Sequence, residues 1–200
     1  MNEKQTHLDW GFGLKWVVSC ALGTAVFGML AYLSMWTIGE AVGNMSRELL
    51  GTMVAGLLFG ALFALGGTLG PGWLLQSIGI SARRWIGQSV VVTAVIMSGG
   101  VALMSAGFEL VPEPVSVLYL GLVLGLPMGL VQWRLLRQHN ISATLWPLMT
   151  VVGYLFAAAI IVFLSGDGRE WLIVLMGLAV GTVTGLGMMW LLRWETAVAV

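Results

Sequence analysis

Two histidines, one cysteine and scattered serines are the residues of this chain that could serve as base, nucleophile or metal ligand. Nucleophilic catalysis needs a hydroxyl or thiol within hydrogen-bond reach of a base, and a metal needs several His, Cys, Asp or Glu side chains that converge. Cys20 stands alone in an apolar run, which rules out a disulfide within the chain and a cysteine-based zinc site; a buried structural thiol is expected. His7 and His139 fall in polar segments, His139 inside the basic stretch that begins Arg134-Leu-Leu-Arg137. Ser19, Ser34, Ser98 and Ser105 lie in apolar runs with no evident His or Lys partner at that depth. Neither a Gly-x-Ser-x-Gly elbow, a His-Glu-x-x-His pair nor a P-loop occurs. This inventory predicts no enzyme, no metal site and no cofactor.

Four residues offer milder chemistry. Pro71 and Pro127 interrupt apolar runs, where a missing N–H and a ring clash kink a helix. Gln132 and Tyr154 lie within such runs and are expected to hydrogen-bond across helices or to a ligand.

The elements that would carry these residues follow from composition. Of 200 residues, 58% are hydrophobic and 9% charged, against roughly 25% charged in soluble domains. With a mean hydropathy of +0.95, no water-soluble fold of this size could hide so much apolar surface, and lipid is the expected solvent. The zero net charge argues against a nucleic-acid partner. Six runs are long enough to cross a bilayer as helix: Trp16–Ile38, Leu49–Leu75, Ser89–Val111, Val115–Trp133, Ala143–Leu164 and Trp171–Leu192. The runs are continuous rather than alternating, so helices and not a barrel are predicted. The N-terminus lacks the pattern of a cleaved signal peptide, and the first run is expected to be retained.

Charge fixes the expected orientation. Lys4, Lys15, Arg83, Arg84, Arg134, Arg137 and Arg193 fall on one side of the predicted spans. Glu40, Glu48, Glu109, Glu113, Asp167 and Glu170 fall on the other, with only Arg47 and Arg169. The positive-inside rule then places both termini in the cytoplasm. Trp10, Trp16, Trp73, Trp85, Trp133, Trp146, Trp190 and Trp194 lie near the cytoplasmic ends, which predicts an interfacial belt.

The chain also matches itself. At a shift of 61 residues, Leu74-Leu75 aligns with Leu135-Leu136, Ile80-Ser81-Ala82 with Ile141-Ser142-Ala143, Trp85 with Trp146 and Gly60 with Gly121. A further shift of 56 brings Gly121, Gly125 and Gly129 onto Gly177, Gly181 and Gly185, and Leu135-Leu136-Arg137 onto Leu191-Leu192-Arg193. The reading is a single transmembrane domain over 1–200, built from three parallel two-helix hairpins at about 6–76, 81–137 and 142–193, an all-α bundle of six transmembrane helices. Residues four apart share a helix face, and small ones let another backbone approach in lipid. The glycine stripes, with Gly60, Ala64 and Thr68 in the first copy, are therefore predicted helix-packing seams. Cys20, Thr24 and Gly28, Ser98, Ala102 and Ala106, and Gly153 and Ala157 offer partner faces.

The segment Gly129-Leu-Val-Gln132-Trp133-Arg134-Leu-Leu-Arg137, followed by Trp146, resembles a group of uncharacterised bacterial multi-pass membrane proteins whose Gly-rich spans end in Gln-Trp-x-x-Leu-Arg. The resemblance implies a multi-pass fold in a bacterial inner membrane and no established activity. The full motif occurs once; the other copies read Pro71-Gly-Trp73-Leu-Leu-Gln76 and Met188-Met-Trp190-Leu-Leu-Arg193. The expected function is a non-enzymatic structural or accessory subunit that packs with lipids, other membrane subunits or further copies of itself. The alternative is a carrier or binding subunit for a small or lipophilic molecule. Trp133, Arg134, Arg137, Trp146, Trp190 and Arg193 are the predicted contacts to lipid or a partner.

Overall fold

The computed structural model describes residues 10–43, 48–105, 113–139, 141, 143–164 and 170–198. They form six helices and, among the described residues, no strand: α1 Trp10–Gly43, α2 Glu48–Gln76, α3 Ala82–Ser105, α4 Glu113–Gln138, α5 Trp146–Leu164 and α6 Glu170–Val198. Five carry stretches long and apolar enough to cross a membrane: Trp10–Ser34, Leu49–Gln76, Val117–Gln138, Trp146–Leu164 and Leu172–Leu192. The third expected span, Ser89–Val111, runs onto residues outside the described set. The described part of α3 opens with Ala82, Arg83 and Arg84 and ends at Ser105.

The long apolar helices fit a multi-pass membrane protein, and so does the surface. Leu14, Val18, Leu22, Val26 and Leu30, four residues apart on α1, all face outward. A helix bathed in water would carry charge on such a face. Pro71 and Pro127 stay inside α2 and α4 rather than ending them.

Each helix packs against its neighbours in chain order, and α6 returns against α1, which closes a ring. The seam between α3 and α4 is the sparsest. The glycine stripes lie where even helices meet the next odd helix. A methyl group placed on Gly125 would lie 2.6 Å from the Cα of Val151, and one on Gly129 would lie 2.6 Å from the Cα of Pro147. Gly121 faces Leu155 on the same helix, α5. On α6, Gly177 and Gly181 would each meet α1 at 2.7 Å, at the Cβ of Thr24 and of Cys20, and Gly185 would meet the Trp16 ring at 3.0 Å. On α2, Gly60 would touch the Thr93 carbonyl at 2.7 Å and Gly56 the Cα of Ser98 at 2.8 Å. Ala64 and Thr68, which complete that stripe, are buried.

The turn from α2 to α3 explains how one such pair is aligned. Gly79 has φ +89°, a left-handed conformation that costs glycine little. Ile80 N–H donates to Leu75 C=O at 3.1 Å and Gly79 N–H to Gln76 C=O at 3.1 Å, the paired bonds of a Schellman ending. Leu75 and Ile80, the apolar residues that this motif brings together, are both buried. Ser81 then caps α3, its Oγ accepting from Arg84 N–H at 3.4 Å. After α4 the longer of these bonds recurs, Ile141 N–H to Leu136 C=O at 3.2 Å, and His139 N–H donates to Leu136 C=O at 3.0 Å as Ile78 N–H does to Leu75 C=O at 3.1 Å. Asn140 and Ser142 lie outside the described residues.

Candidate functional site

The centre of the ring is aromatic. Trp16 of α1, Trp85 of α3 and Trp146 of α5 are each only 1% exposed. Their ring centroids lie 6.3 Å apart for Trp16–Trp85, 6.3 Å for Trp16–Trp146 and 5.9 Å for Trp85–Trp146, edge-on or tilted. This is the geometry that aromatic quadrupoles favour over face-to-face stacking. Leu75, Leu136 and Met188, one from each even helix, enclose the trio.

This overturns part of the expected belt. Trp146 was expected to touch lipid or a partner, and Trp16 and Trp85 to anchor at the interface; all three are enclosed by protein. The physical reason is that a helix face turned toward the bundle axis buries a large apolar ring as readily as the interface does, once its N–H finds a partner. Trp16 Nε1–H donates to Thr184 Oγ1 at 3.1 Å, and Trp146 Nε1–H donates to Gln132 Oε1 at 2.9 Å. Gln132 Nε2 in turn donates to Ser89 Oγ at 3.1 Å, which ties α3, α4 and α5 together. Trp85 Nε1 is buried and has no hydrogen-bond partner among the described residues.

A cavity of about 40 Å³ adjoins the trio, on the scale of a few water molecules. All six helices contribute to its wall. In α1 the lining runs from Trp16 through Cys20 to Thr24, roughly 12 Å along the axis at the rise of an α-helix. Its polar groups include Thr68, Thr150, Thr184 and Tyr154. Thr68 and Thr150 donate back to the carbonyls of Ala64 and Trp146 at 2.6 and 2.9 Å, which leaves their oxygen lone pairs facing other partners. Pro71 also lines the cavity and supplies no N–H to the Gly67 carbonyl four residues earlier. The thiol of Cys20 reaches that carbonyl at 3.5 Å, a weak donor in place of an amide.

The described side chains of the rest of the predicted contact set do not line the cavity. Arg134 and Arg137 are exposed, and the Arg137 guanidinium lies 5.0 Å from the centre of the half-buried Trp133 ring, a cation–π contact. Trp133 Nε1 is buried without a hydrogen-bond partner. Trp190 is 45% exposed. The side chain of Arg193 and the whole of His7 lie outside the described residues. Ser98 donates across a seam to the Met53 carbonyl at 2.9 Å, while Ser19 and Ser34 bond within α1.

Sequence reasoning missed Ser89, Thr184 and the inward role of the three tryptophans. Two signals pointed there. Trp85 and Trp146 are repeat-related, and Thr184 sits one residue before a stripe glycine. No family model matches the chain, and neither a curated protein nor a solved structure is similar to it.

Proposed function

We propose that the chain is a non-enzymatic accessory subunit of a membrane, a rigid six-helix body that packs with other membrane components. The observation that carries this reading is the ring of glycine seams. Gly66 against Gly23, Gly60 against α3, Gly125 against α5 and Gly181 against α1 bring helices together at backbone distance. Close-packed interfaces of this kind leave the helices little room to slide, which suits a fixed body better than an alternating one.

Three parallel hairpins, with both termini cytoplasmic, are the topology proposed for this body. The like-bonded turns after α2 and α4, and a central tryptophan from each of three odd helices, support it. Orientation is tested by cysteines introduced at Gly43, Asn140, Gly168 and Ala199. Those at Gly43 and Gly168 should label only from outside the cell, and those at Asn140 and Ala199 only from inside. Labelling of position 140 from outside would sink the topology.

The packing partner is proposed to meet the basic aromatic face at Trp133, Arg134, Arg137, Trp190 and Arg193. Basic residues at a cytoplasmic surface each favour an anionic membrane by about 1 kcal/mol. Native mass spectrometry of protein released gently from its own membrane reads this out. The expected result is a retained subunit, second copy or anionic lipid that is lost when Arg134, Arg137 and Arg193 are together replaced by Gln. A bare monomer in both samples would refute the accessory role.

A second reading, a binding subunit for a small or lipophilic molecule, is favoured by the axial cavity, whose largely apolar wall carries the hydroxyls of Thr68, Thr150, Thr184 and Tyr154.

A further inference from the structure

The three central tryptophans sit in comparable surroundings, yet one lacks what the other two have. The partner of Trp16 is Thr184, whose repeat-related positions are Met128 and Gly67. The partner of Trp146 is Gln132, whose repeat-related positions are Met188 and Pro71. The even helix that would serve Trp85 is α2, and it carries glycine and proline at those two places. Neither can accept from an indole through a side chain. Both residues line the cavity, as does Trp85 itself.

The two replacements do more than remove an acceptor. Glycine at 67 leaves room: a methyl group placed there would meet nothing nearer than Thr24 Oγ1 at 3.9 Å. Proline at 71 removes the N–H that the Gly67 carbonyl would accept from four residues on, and that oxygen has a second lone pair beyond the weak Cys20 contact. A single small cavity is thus lined by a residue whose buried N–H has no acceptor among the described residues and by one whose C=O has lost its i+4 amide donor. A buried donor left unmatched costs more than a hydrogen bond returns. A hydroxyl group supplies both functions through one oxygen.

We propose that this cavity binds a neutral hydroxyl, with its oxygen accepting from Trp85 Nε1–H and its hydrogen donated to the Gly67 carbonyl. The occupant is either a held water or the hydroxyl end of a lipophilic alcohol; the cavity's size admits only a few non-hydrogen atoms beside the trio. The site deepens the binding reading given above and is independent of the accessory role.

Indole-¹⁵N nuclear magnetic resonance on the full chain in lipid nanodiscs tests it, with Trp85→Phe used to assign the Trp85 signal. The expected result is a Trp85 N–H shift in the hydrogen-bonded range of Trp16 and Trp146. Cross-relaxation to water protons would identify water as the occupant. Cross-relaxation to the aliphatic protons of added 1-hexanol, without water contact, would identify an alcohol. Gly67→Ala should narrow the site and weaken 1-hexanol retention about tenfold, the loss of roughly one hydrogen bond. Gly67→Thr should supply a protein hydroxyl, keep the bonded shift and abolish contact with water and alcohol; this variant serves if Gly67→Ala fails to fold. A Trp85 N–H in the unbonded range, unchanged in Gly67→Thr, would overturn the proposal. A co-purified molecule found together with that unbonded signal would overturn the hydroxyl site while leaving the binding reading intact.

Discussion

The α1–α2 and α3–α4 seams are both contacts between sequence-adjacent helices, and they are built differently. Between α1 and α2, Gly23 and Gly66 meet backbone to backbone, and Gly70 sits against Ser19. Between α3 and α4 contacts are sparse, and the Gln132–Ser89 bond is the cross-link that the described residues show. Helix α3 has glycines too, but Gly87, Gly99 and Gly100 have open space where a Cβ would go. Glycine as a residue type therefore says little about contact. Its placement at four-residue spacing on the even helices is what marks a seam, because that spacing keeps every gap on one face.

Four substitutions sharpen this contrast, read as thermal stability in detergent. The largest effect is expected at Gly125→Leu and Gly181→Leu, which push side chains into Val151 and Cys20 across closed seams. Overpacking of this kind costs about 3 kcal/mol or more where backbone must move. Unchanged stability at both sites would mean that the stripes tolerate separation. Next comes Gln132→Leu at the sparse seam. It strips the acceptor from Trp146 and the donor from Ser89 at once, for a loss of about 1–3 kcal/mol. A result within error of the parent would leave that seam held by packing alone. The smallest effect, and of opposite sign, is expected at Gly99→Ala, where the added methyl meets nothing and helix propensity favours alanine by up to about 1 kcal/mol. Clear destabilisation there would show that the open face of α3 is covered in the membrane.

Most of the helices and their turns were legible in the sequence, because length and hydropathy set them. Leu75, Ile80, Leu136 and Ile141 were visible as a repeated pattern before their shared turn geometry was known. Which way each helix faces was not legible. In water a polar face marks the outside, but here Leu22 on the surface and Leu136 in the core are equally apolar. Trp16 and Trp146 were misplaced for this reason: an indole near the end of a span suits the headgroups or the bundle axis equally well. Only residues with an unmet hydrogen-bonding need break that tie, and Gln132 and Thr184 do so by being spent on tryptophan rather than on solvent. The cavity's unmatched N–H was illegible for a further reason, since it arises where an acceptor side chain is missing, at Gly67 and Pro71.

The return of α6 onto α1 sets the order in which this chain can be assembled. Trp16 and Thr184 are 168 residues apart, so α1 waits for the much later α6 before its own central bond can form. Until then the groove at Cys20 and Thr24 must be occupied by lipid or by a passing helix of another chain. The long closing contact makes the final step slow relative to the neighbouring hairpins. It also makes α1 the helix most exposed to mispairing during synthesis. A chain broken after α5 would be left with an unmatched edge on both sides of the gap, whereas one reopened between α3 and α4, with α6 linked to α1, would keep every tight seam.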